Sequence, residues 1–239
     1  MRKLLFLFSA LPLFAAAQTK ALVNLSRYFP KEGKAQQFEK ALSAHAQKYH
    51  KGDLKWRVYT IETGPDAGGY MVVEGPTNWD GIDKRGEIST AHTWDWETTV
   101  QPNLTERTST MYMTFREDLS TVQQGDYSDK ISINHVFFKP GYSADTQGNL
   151  LLLRKVWEAD GASMAVYEAS LSGEPQFAVV TRYKQGLKER DVVQPVAMPA
   201  RFDKVNGAGS WAKYLALLKE GVARQWSEIL YHKAEMGSK

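Results

Sequence analysis

The sequence predicts an α+β protein in which two tandem β-α-β-β-α-β units pack sheet to sheet. The main observation is an internal repeat: LVNLSRYFPKEG (22–33) matches KISINHVFFKPG (130–141), and each is an alternating strand that ends in a turn. The same offset places Val58-Tyr59 on Val166-Tyr167, and an offset one residue shorter places YMVV (70–73) on FAVV (177–180). Three matched segments at a nearly constant spacing indicate a duplicated structural unit.

The first unit is expected to span residues 18–117. After its first strand, KAQQFEKALSAHAQKYHK carries Phe38, Leu42, His45 and Tyr49 at helical spacing, which predicts a helix. TGPDAGG is a turn composition between two alternating runs and predicts a hairpin. A helix over about 87–100 and a final strand at 107–117 complete the ferredoxin-like order.

The second unit is expected to span residues 130–239, after a polar linker at 118–129. NLLLLRKVWEAD predicts its first helix, and LSGEPQ joins its two middle strands. A second helix is expected over about 211–222. The segment 226–233 is expected to be a strand, with continued helix as the alternative, and the proline-rich segment 194–202 is expected to be irregular.

The first 17 residues have the features of a secretory signal peptide. Arg2 and Lys3 precede an apolar run from Leu4 to Phe14, and three alanines form a small-residue cleavage site. The run is too short to span a bilayer, which takes roughly 20 residues. The sequence therefore predicts a periplasmic or secreted protein with no membrane span after cleavage.

Composition excludes several classes of function. The chain has 30 basic and 27 acidic residues, and cleavage would remove two basic ones, so no nucleic-acid or anionic-lipid partner is expected. The chain contains no cysteine, which excludes disulfides, thiolate nucleophiles and thiolate metal sites.

Alternation along the first strand suggests how the two units meet. Val23, Leu25 and Arg27 point to one side of the sheet, and Asn24 and Ser26 point to the other. The more apolar set is expected under the helices, and the mixed set is expected in a semi-polar interior between the two sheets. Arg27 and His135 occupy the same repeat position on the apolar set, either as a ligand contact or as a strand-end residue with a solvated head.

This pattern resembles the dimeric α/β-barrel superfamily, whose members include antibiotic-biosynthesis-type and haem-degrading monooxygenases. The resemblance covers essentially the whole chain after residue 17 and lies in element order, without a diagnostic motif. It implies an asparagine on the first strand and a histidine on the second helix as catalytic residues, positions that Asn24 and His92 match. Trp79 lies near the position of the family's tryptophan. The second unit departs from the pattern, since Trp211 lies near the place of the helix histidine.

The stretch HTWDW (92–96) is the strongest candidate for a site. On a helix His92 and Trp96 share a face, and Asp95 could orient the imidazole. The alternative is a set of core aromatics around a hydrogen-bonded histidine. Further candidates for ligand contacts share an expected position at the interior or beside it: Ser26, Tyr112, Asn134, Trp79 and Trp96.

The preferred function is binding of a small apolar or aromatic molecule in the barrel interior or in a sheet–helix cleft. The alternatives are a cofactor-independent or haem-degrading monooxygenase and a structural protein of the cell envelope with a filled core. No cofactor is expected from the residues, although the resemblance leaves haem open. No metal site is expected, because His45 and His50 are five residues apart and do not share a helix face. The sequence leaves open whether the protein is an enzyme.

Overall fold

The computed structural model describes residues 20–86 and 88–239, so the predicted signal peptide lies outside the described residues. The first half contains three helices between its strands: β1 (Leu22–Pro30), α1 (Ala35–Tyr49), β2 (Trp56–Ile61), β3 (Tyr70–Thr77), α2 (Trp79–Arg85), α3 (Thr90–Asp95) and β4 (Leu104–Phe115). The second half repeats this order with one long helix and then a helix pair: β5 (Lys130–Phe138), α4 (Ser143–Ala159), β6 (Met164–Ala169), β7 (Gln176–Tyr183), α5 (Met198–Asn206), α6 (Ser210–Gly221) and β8 (Val222–His232).

The eight strands form a closed antiparallel barrel in the order β1-β3-β2-β8-β5-β7-β6-β4. Two seams join the halves, β2 against β8 and β4 against β6. Closure pairs strands that would otherwise be exposed sheet edges. The expectation that the two sheets close on each other is therefore confirmed at the level of an eight-stranded barrel with helices outside it.

The orientation of the strands differs from the one expected. Val23, Leu25 and Arg27 face the barrel interior, with their repeat partners Ile131, Ile133 and His135. Asn24, Ser26 and Tyr28 alternate with the first set and therefore face outward. The assignment from sequence was wrong because alternation separates the two sides of a strand but does not say which side the helices cover. Here the sheet-to-sheet side takes the more apolar set, and most of the barrel's core cluster is aliphatic.

The helical segments are confirmed in part. The predicted helix at 87–100 is α3 followed by a π-helical turn, Trp96–Val100. The segment expected to be irregular instead enters α5, which begins at Met198 with a proline in its first turn, where the missing N–H has no helical partner to lose. The last strand is confirmed as β8, so the alternative of continued helix is wrong. Within the described ranges, no helix is long and apolar enough to cross a membrane.

Candidate functional site

The barrel encloses a cavity of about 250 Å³. Its middle is lined by aliphatic and thioether side chains from both halves: Val23, Leu25, Met71, Val73, Met111, Met113, Ile131, Ile133, Ala178 and Val180. An engineered apolar cavity of about 150 Å³ binds benzene, so this space has room for a single substituted ring. The cavity therefore disfavours the third alternative, a structural protein with a filled core.

A buried ion network closes one end of this cavity. Glu228 is fully buried and accepts hydrogen bonds from both terminal nitrogens of Arg27, one of them at 2.9 Å. His135 Nε2 contacts the same carboxylate at 2.9 Å, and Arg27 also donates to Asp66 at 2.7 Å. The repeat-related pair Arg27 and His135 therefore meets on one carboxylate. The sequence did not identify Glu228 as a site residue.

Each carboxylate of this network is paired with a guanidinium, since Asp66 also pairs with Arg107. Burial alone would raise the pKa of Glu228, but hydrogen bonds from His135 and Arg27 outweigh it, so the pKa is lowered. Burial lowers the pKa of Arg27, and the two carboxylates more than restore it, so the guanidinium stays charged. The guanidinium and carboxylate groups at this end of the cavity are thus paired with one another.

The opposite end, where β1 and β5 begin, has a different electrostatic character. Arg57 and Arg182 both line the cavity there. Their guanidinium carbons lie 3.6 Å and 5.2 Å, respectively, from the centroid of the Tyr127 ring. Within residues 20–86 and 88–239, neither guanidinium has a carboxylate within ion-pair distance. Arg182 donates hydrogen bonds to the carbonyls of Gln123, Gln124 and Asp126 and to a tyrosine hydroxyl.

Most of the guanidinium N–H donors of Arg57 have no hydrogen-bond partner in the described structure. Its one hydrogen bond in the described structure is to the Gly75 carbonyl, at 3.3 Å. Tyr59 lies beside it on the cavity wall, and burial raises the pKa of Tyr59 to about 12. The phenol therefore stays neutral at physiological pH and can donate a hydrogen bond. This end of the cavity presents net positive charge and free donors.

A second polar cluster lies on the outer face of the first half, between its sheet and helices α1 and α3. Three histidines converge there: His45 on α1, His50 just after α1, and His92 on α3. One ring nitrogen from each lies within 4.8 Å of the others, and His50 Nε2 is 3.3 Å from His92 Nε2. We call these three residues the histidine cluster. The expectation that no metal site exists considered His45 together with His50 but did not group His92 with them.

Carboxylates flank the histidine cluster from behind. Asp95 contacts His45 Nδ1 at 2.7 Å. Glu74 Oε2 lies 3.2 Å from His50 Nδ1, although the N–H points too far aside for a well-formed hydrogen bond. Glu74 also accepts from Trp56 Nε1 at 2.8 Å.

Two members of the histidine cluster, His45 and His92, have lowered pKa values. Burial lowers the pKa of His45, against the opposing effect of Asp95. Burial, with the neighbouring imidazoles, lowers the pKa of His92 to about 4. His45 Nε2 and His92 Nδ1 are buried without a hydrogen-bond partner in the described part of the chain. Each such atom costs about 1–3 kcal/mol when it stays unsatisfied.

Within the HTWDW stretch, one tryptophan is packed in the helix–sheet core and the other is exposed to solvent. Trp96 packs on Tyr28 at 5.3 Å between ring centroids and on His45 at 5.4 Å. Trp94 points to solvent and is 67% exposed. The stretch is part of a helix–sheet core that holds polar groups, and it lies outside the barrel interior.

The other residues singled out from the sequence also lie on outer faces. Ser26 hydrogen bonds Thr110 at 3.0 Å, and Asn134 accepts from Ser227 at 3.2 Å. Tyr112 packs against Trp79 at 5.5 Å. The expectation that Ser26, Tyr112 and Asn134 line the interior is wrong, for the same reason that the strand faces were exchanged. Their roles in binding remain predictions.

Asn24 and His92 lie on the same outer side of the first sheet. Asn24 is opposite Glu74 in the strand register, and its Oδ1 is buried without a partner in the described ranges. Glu74 approaches His50, which in turn contacts His92. The geometry nevertheless does not fit haem ligation, because the position in front of His92 Nε2 is occupied by another imidazole and the ring is packed against His45 and Tyr49. Haem has no role in the proposed function.

Comparison with known proteins gives a fold and no family. No family model and no curated protein matches the sequence. Among solved structures, an anthrone oxidase-like protein aligns with a TM-score of 0.57 and 13% identity, over 90% of this chain and 92% of that one.

Two further structures align over similar lengths. A proposed monooxygenase from Lactobacillus acidophilus NCFM aligns with a TM-score of 0.52 and 10% identity, over 91% of this chain and 95% of that one. A chlorite dismutase from Candidatus Nitrospira defluvii aligns with a TM-score of 0.52 and 8% identity, over 92% and 93%.

The chain therefore shares its overall fold with these structures. At such low identity the likeness extends to the fold alone, since one fold carries many activities.

Proposed function

We propose that the protein binds a small, largely apolar organic anion inside the barrel, of the size of a single-ring aromatic acid. The proposal takes the two halves as tandem ferredoxin-like units that enclose the ligand, in a protein exported by its first 17 residues. The single observation that carries it is a cavity with apolar walls and two guanidinium groups without acidic partners at one end. Arg182 is buried and Arg57 is half-buried, and a charge withdrawn from water without a counter-ion is costly, so a ligand carboxylate would stabilise both.

Arg57 is the expected anchor for the anion. Its guanidinium lies over the Tyr127 ring, which leaves the edge of the group free to pair with a carboxylate in two parallel hydrogen bonds. The neutral Tyr59 hydroxyl is the second donor. The apolar part of the ligand then lies against the methionines and aliphatic residues in the middle of the barrel.

Methionine methyl NMR tests the proposal directly. Met71, Met111 and Met113 line the cavity, whereas Met198 and Met236 do not and serve as internal references. We expect 4-ethylbenzoate to shift the three cavity methyls in a saturable way. The neutral 4-ethylbenzyl alcohol should bind about 10-fold to 100-fold more weakly, since a hydrogen bond to a charged group contributes roughly 1.5–3 kcal/mol.

A matched pair of variants separates charge from packing. Arg57→Met keeps the stem but removes the charge, and it should reduce the affinity for 4-ethylbenzoate to that for the alcohol. Arg224 is the control: it also stacks on a ring at 3.6 Å and lines the cavity, but it is paired with Glu174 at the other end. Arg224→Met should leave the preference for the anion unchanged. Equal loss in both variants, or equal binding of acid and alcohol by the wild type, would refute the proposal.

The oxygenase alternative stays a prediction, since it needs a substrate that supplies its own electrons. Dioxygen uptake measured with any phenolic ligand that passes the NMR test would decide it.

A further inference from the structure

The histidine cluster points to a site independent of the barrel cavity. We infer that His45, His50 and His92 bind one divalent transition-metal ion, of the Zn²⁺ type, between helices α1 and α3 and the outer face of the first sheet. The site lies on the opposite side of β3 from the barrel interior, since Glu74 behind it alternates with the cavity residue Val73.

The first support is distance. Zn–N bonds are about 2.0–2.1 Å, so two nitrogens on a tetrahedral ion are about 3.3 Å apart. His50 Nε2 and His92 Nε2 are separated by 3.3 Å, and the third imidazole lies within 4.8 Å. A movement of the third ring by about 1.5 Å, the difference between those two distances, completes three ligands.

The second support is the arrangement behind the ligands. Metal-binding histidines commonly give their other ring nitrogen to a carboxylate, which fixes the tautomer and turns the free lone pair toward the ion. Asp95 does this for His45 at 2.7 Å, and Glu74 stands 3.2 Å from the far nitrogen of His50. The near nitrogen of His45, Nε2, is buried and has no partner in the described ranges, as expected for a ligand atom that awaits an ion.

The third support is rigidity. Trp56 stacks on His50 at 3.5 Å between ring centroids and donates to Glu74, so the ring and its carboxylate are held by one indole. His45 lies against both Trp56 and Trp96, and the side chain of Ser89 caps the helix that carries His92. The three ligands therefore come from a fixed frame.

The donor set defines the class of metal. Three imidazole ligands with no thiolate suit Zn²⁺, Co²⁺, Ni²⁺ and Cu²⁺, and they disfavour Mg²⁺ and Ca²⁺, which take oxygen ligands. Three protein ligands leave the fourth position of a tetrahedral ion open to water or to an added anion. That is the arrangement of an exchangeable site.

Binding is tested on untagged, chelator-treated protein with Zn²⁺ and Co²⁺ as the probes. Native mass spectrometry should find one Zn²⁺ per chain, and Co²⁺ should give the intense visible absorption of a four-coordinate ion. His92→Ala should weaken Zn²⁺ binding at least 100-fold in competition with a chromophoric chelator. His232→Ala is the matched control, because His232 lies outside the cluster, and it should change affinity less than twofold.

Two further measurements guard against a variant that fails to fold. Asp95→Asn should weaken Zn²⁺ binding about 10-fold to 100-fold through the orientation of His45. In the wild type, ¹⁵N NMR of the imidazoles should show Zn²⁺-dependent shifts for His45, His50 and His92 and none for His135. The inference is overturned if the wild type binds no metal, if His92→Ala binds as the wild type does, or if the shifts appear at His135 or His232 instead. None of these outcomes bears on the barrel cavity, whose test uses methionine methyls.

Discussion

Replacing Glu228 by glutamine should destabilise the fold by about 3 kcal/mol. The carboxylate is fully buried and accepts from two nitrogens of Arg27 and one of His135. Breaking a buried ion pair by removing one partner costs about 3–5 kcal/mol, because the other charge stays buried. Asp66 still pairs with Arg27 after the change, which places the expected loss at the lower end of that range.

The double variant Arg27→Met, Glu228→Met provides the critical comparison. It removes both charges together, so no buried guanidinium is left without its main partner, and the expected loss falls to about 1–2 kcal/mol. Glu174→Gln is the matched control, since Glu174 is in an exposed pair with Arg224 at the rim, where ion pairs contribute about 0–1 kcal/mol.

Urea unfolding followed by circular dichroism at pH 7 gives these free energies of unfolding, with the slope checked for two-state behaviour. The pKa of Glu228 is lowered, so its stabilising effect is present above its ordinary value of 4.5 and lost as pH falls through the lowered pKa. The difference between wild type and Glu228→Gln should therefore shrink below pH 4.5. A loss under 1 kcal/mol at pH 7, or a double variant worse than the single one, would show that the network does not stabilise the barrel as argued.

Three further predictions follow from cavity, strand and helix cap. Ala178→Leu should stabilise the protein by up to about 2.4 kcal/mol, at about 0.8 kcal/mol per buried carbon, and abolish 4-ethylbenzoate binding; destabilisation with binding retained would mean that the cavity lies elsewhere. Because the pKa of Tyr59 is raised to about 12, unfolding releases its proton from pH 10 upward, so stability should fall between pH 10 and 12 by up to about 2.7 kcal/mol, and a Tyr59→Phe variant with an equally steep fall would contradict this. Ser89→Ala should cost about 1 kcal/mol by removing the acceptor for the His92 N–H, measured by thermal unfolding, with no change expected from Ser172→Ala in a partly exposed bend.

The internal sequence repeat made the barrel predictable from the sequence. Strands that recur at one offset must occupy equivalent places, and β1 and β5 do begin 108 residues apart, as β2 and β6 do. The direction in which those strands face was not predictable in the same way. In the sequence, Arg27 and His135 are polar exceptions on an apolar side of their strands. The structure explains both, because Glu228 on β8 pairs with each of them.

The histidine cluster was missed for a different reason. His45 and His50 do not share a face of an ideal helix, but His50 lies beyond the end of α1, where the backbone has turned to φ −100° and ψ 97°. Helical spacing therefore no longer describes where its ring points. His92 comes from a helix some forty residues later, and no local motif joins the three, so only the tertiary structure brings them together.

The two halves keep one backbone plan but differ in what lies beneath their helices. At the offset that relates the strands, Trp56 corresponds to Met164, and the outer face of the second half is filled by Leu150, Val166 and Phe177. That face also buries two polar side chains of α4, Thr146 and Asn149, but its core cluster contains no ionisable group. The first half instead buries Glu74, His45 and His50 and half-buries His92, which is costly unless each polar atom finds a partner. Only one of the two halves carries such a cluster under its helices, and a metal ion bound there, as we infer, would give His45 Nε2 the partner that it lacks among the described residues.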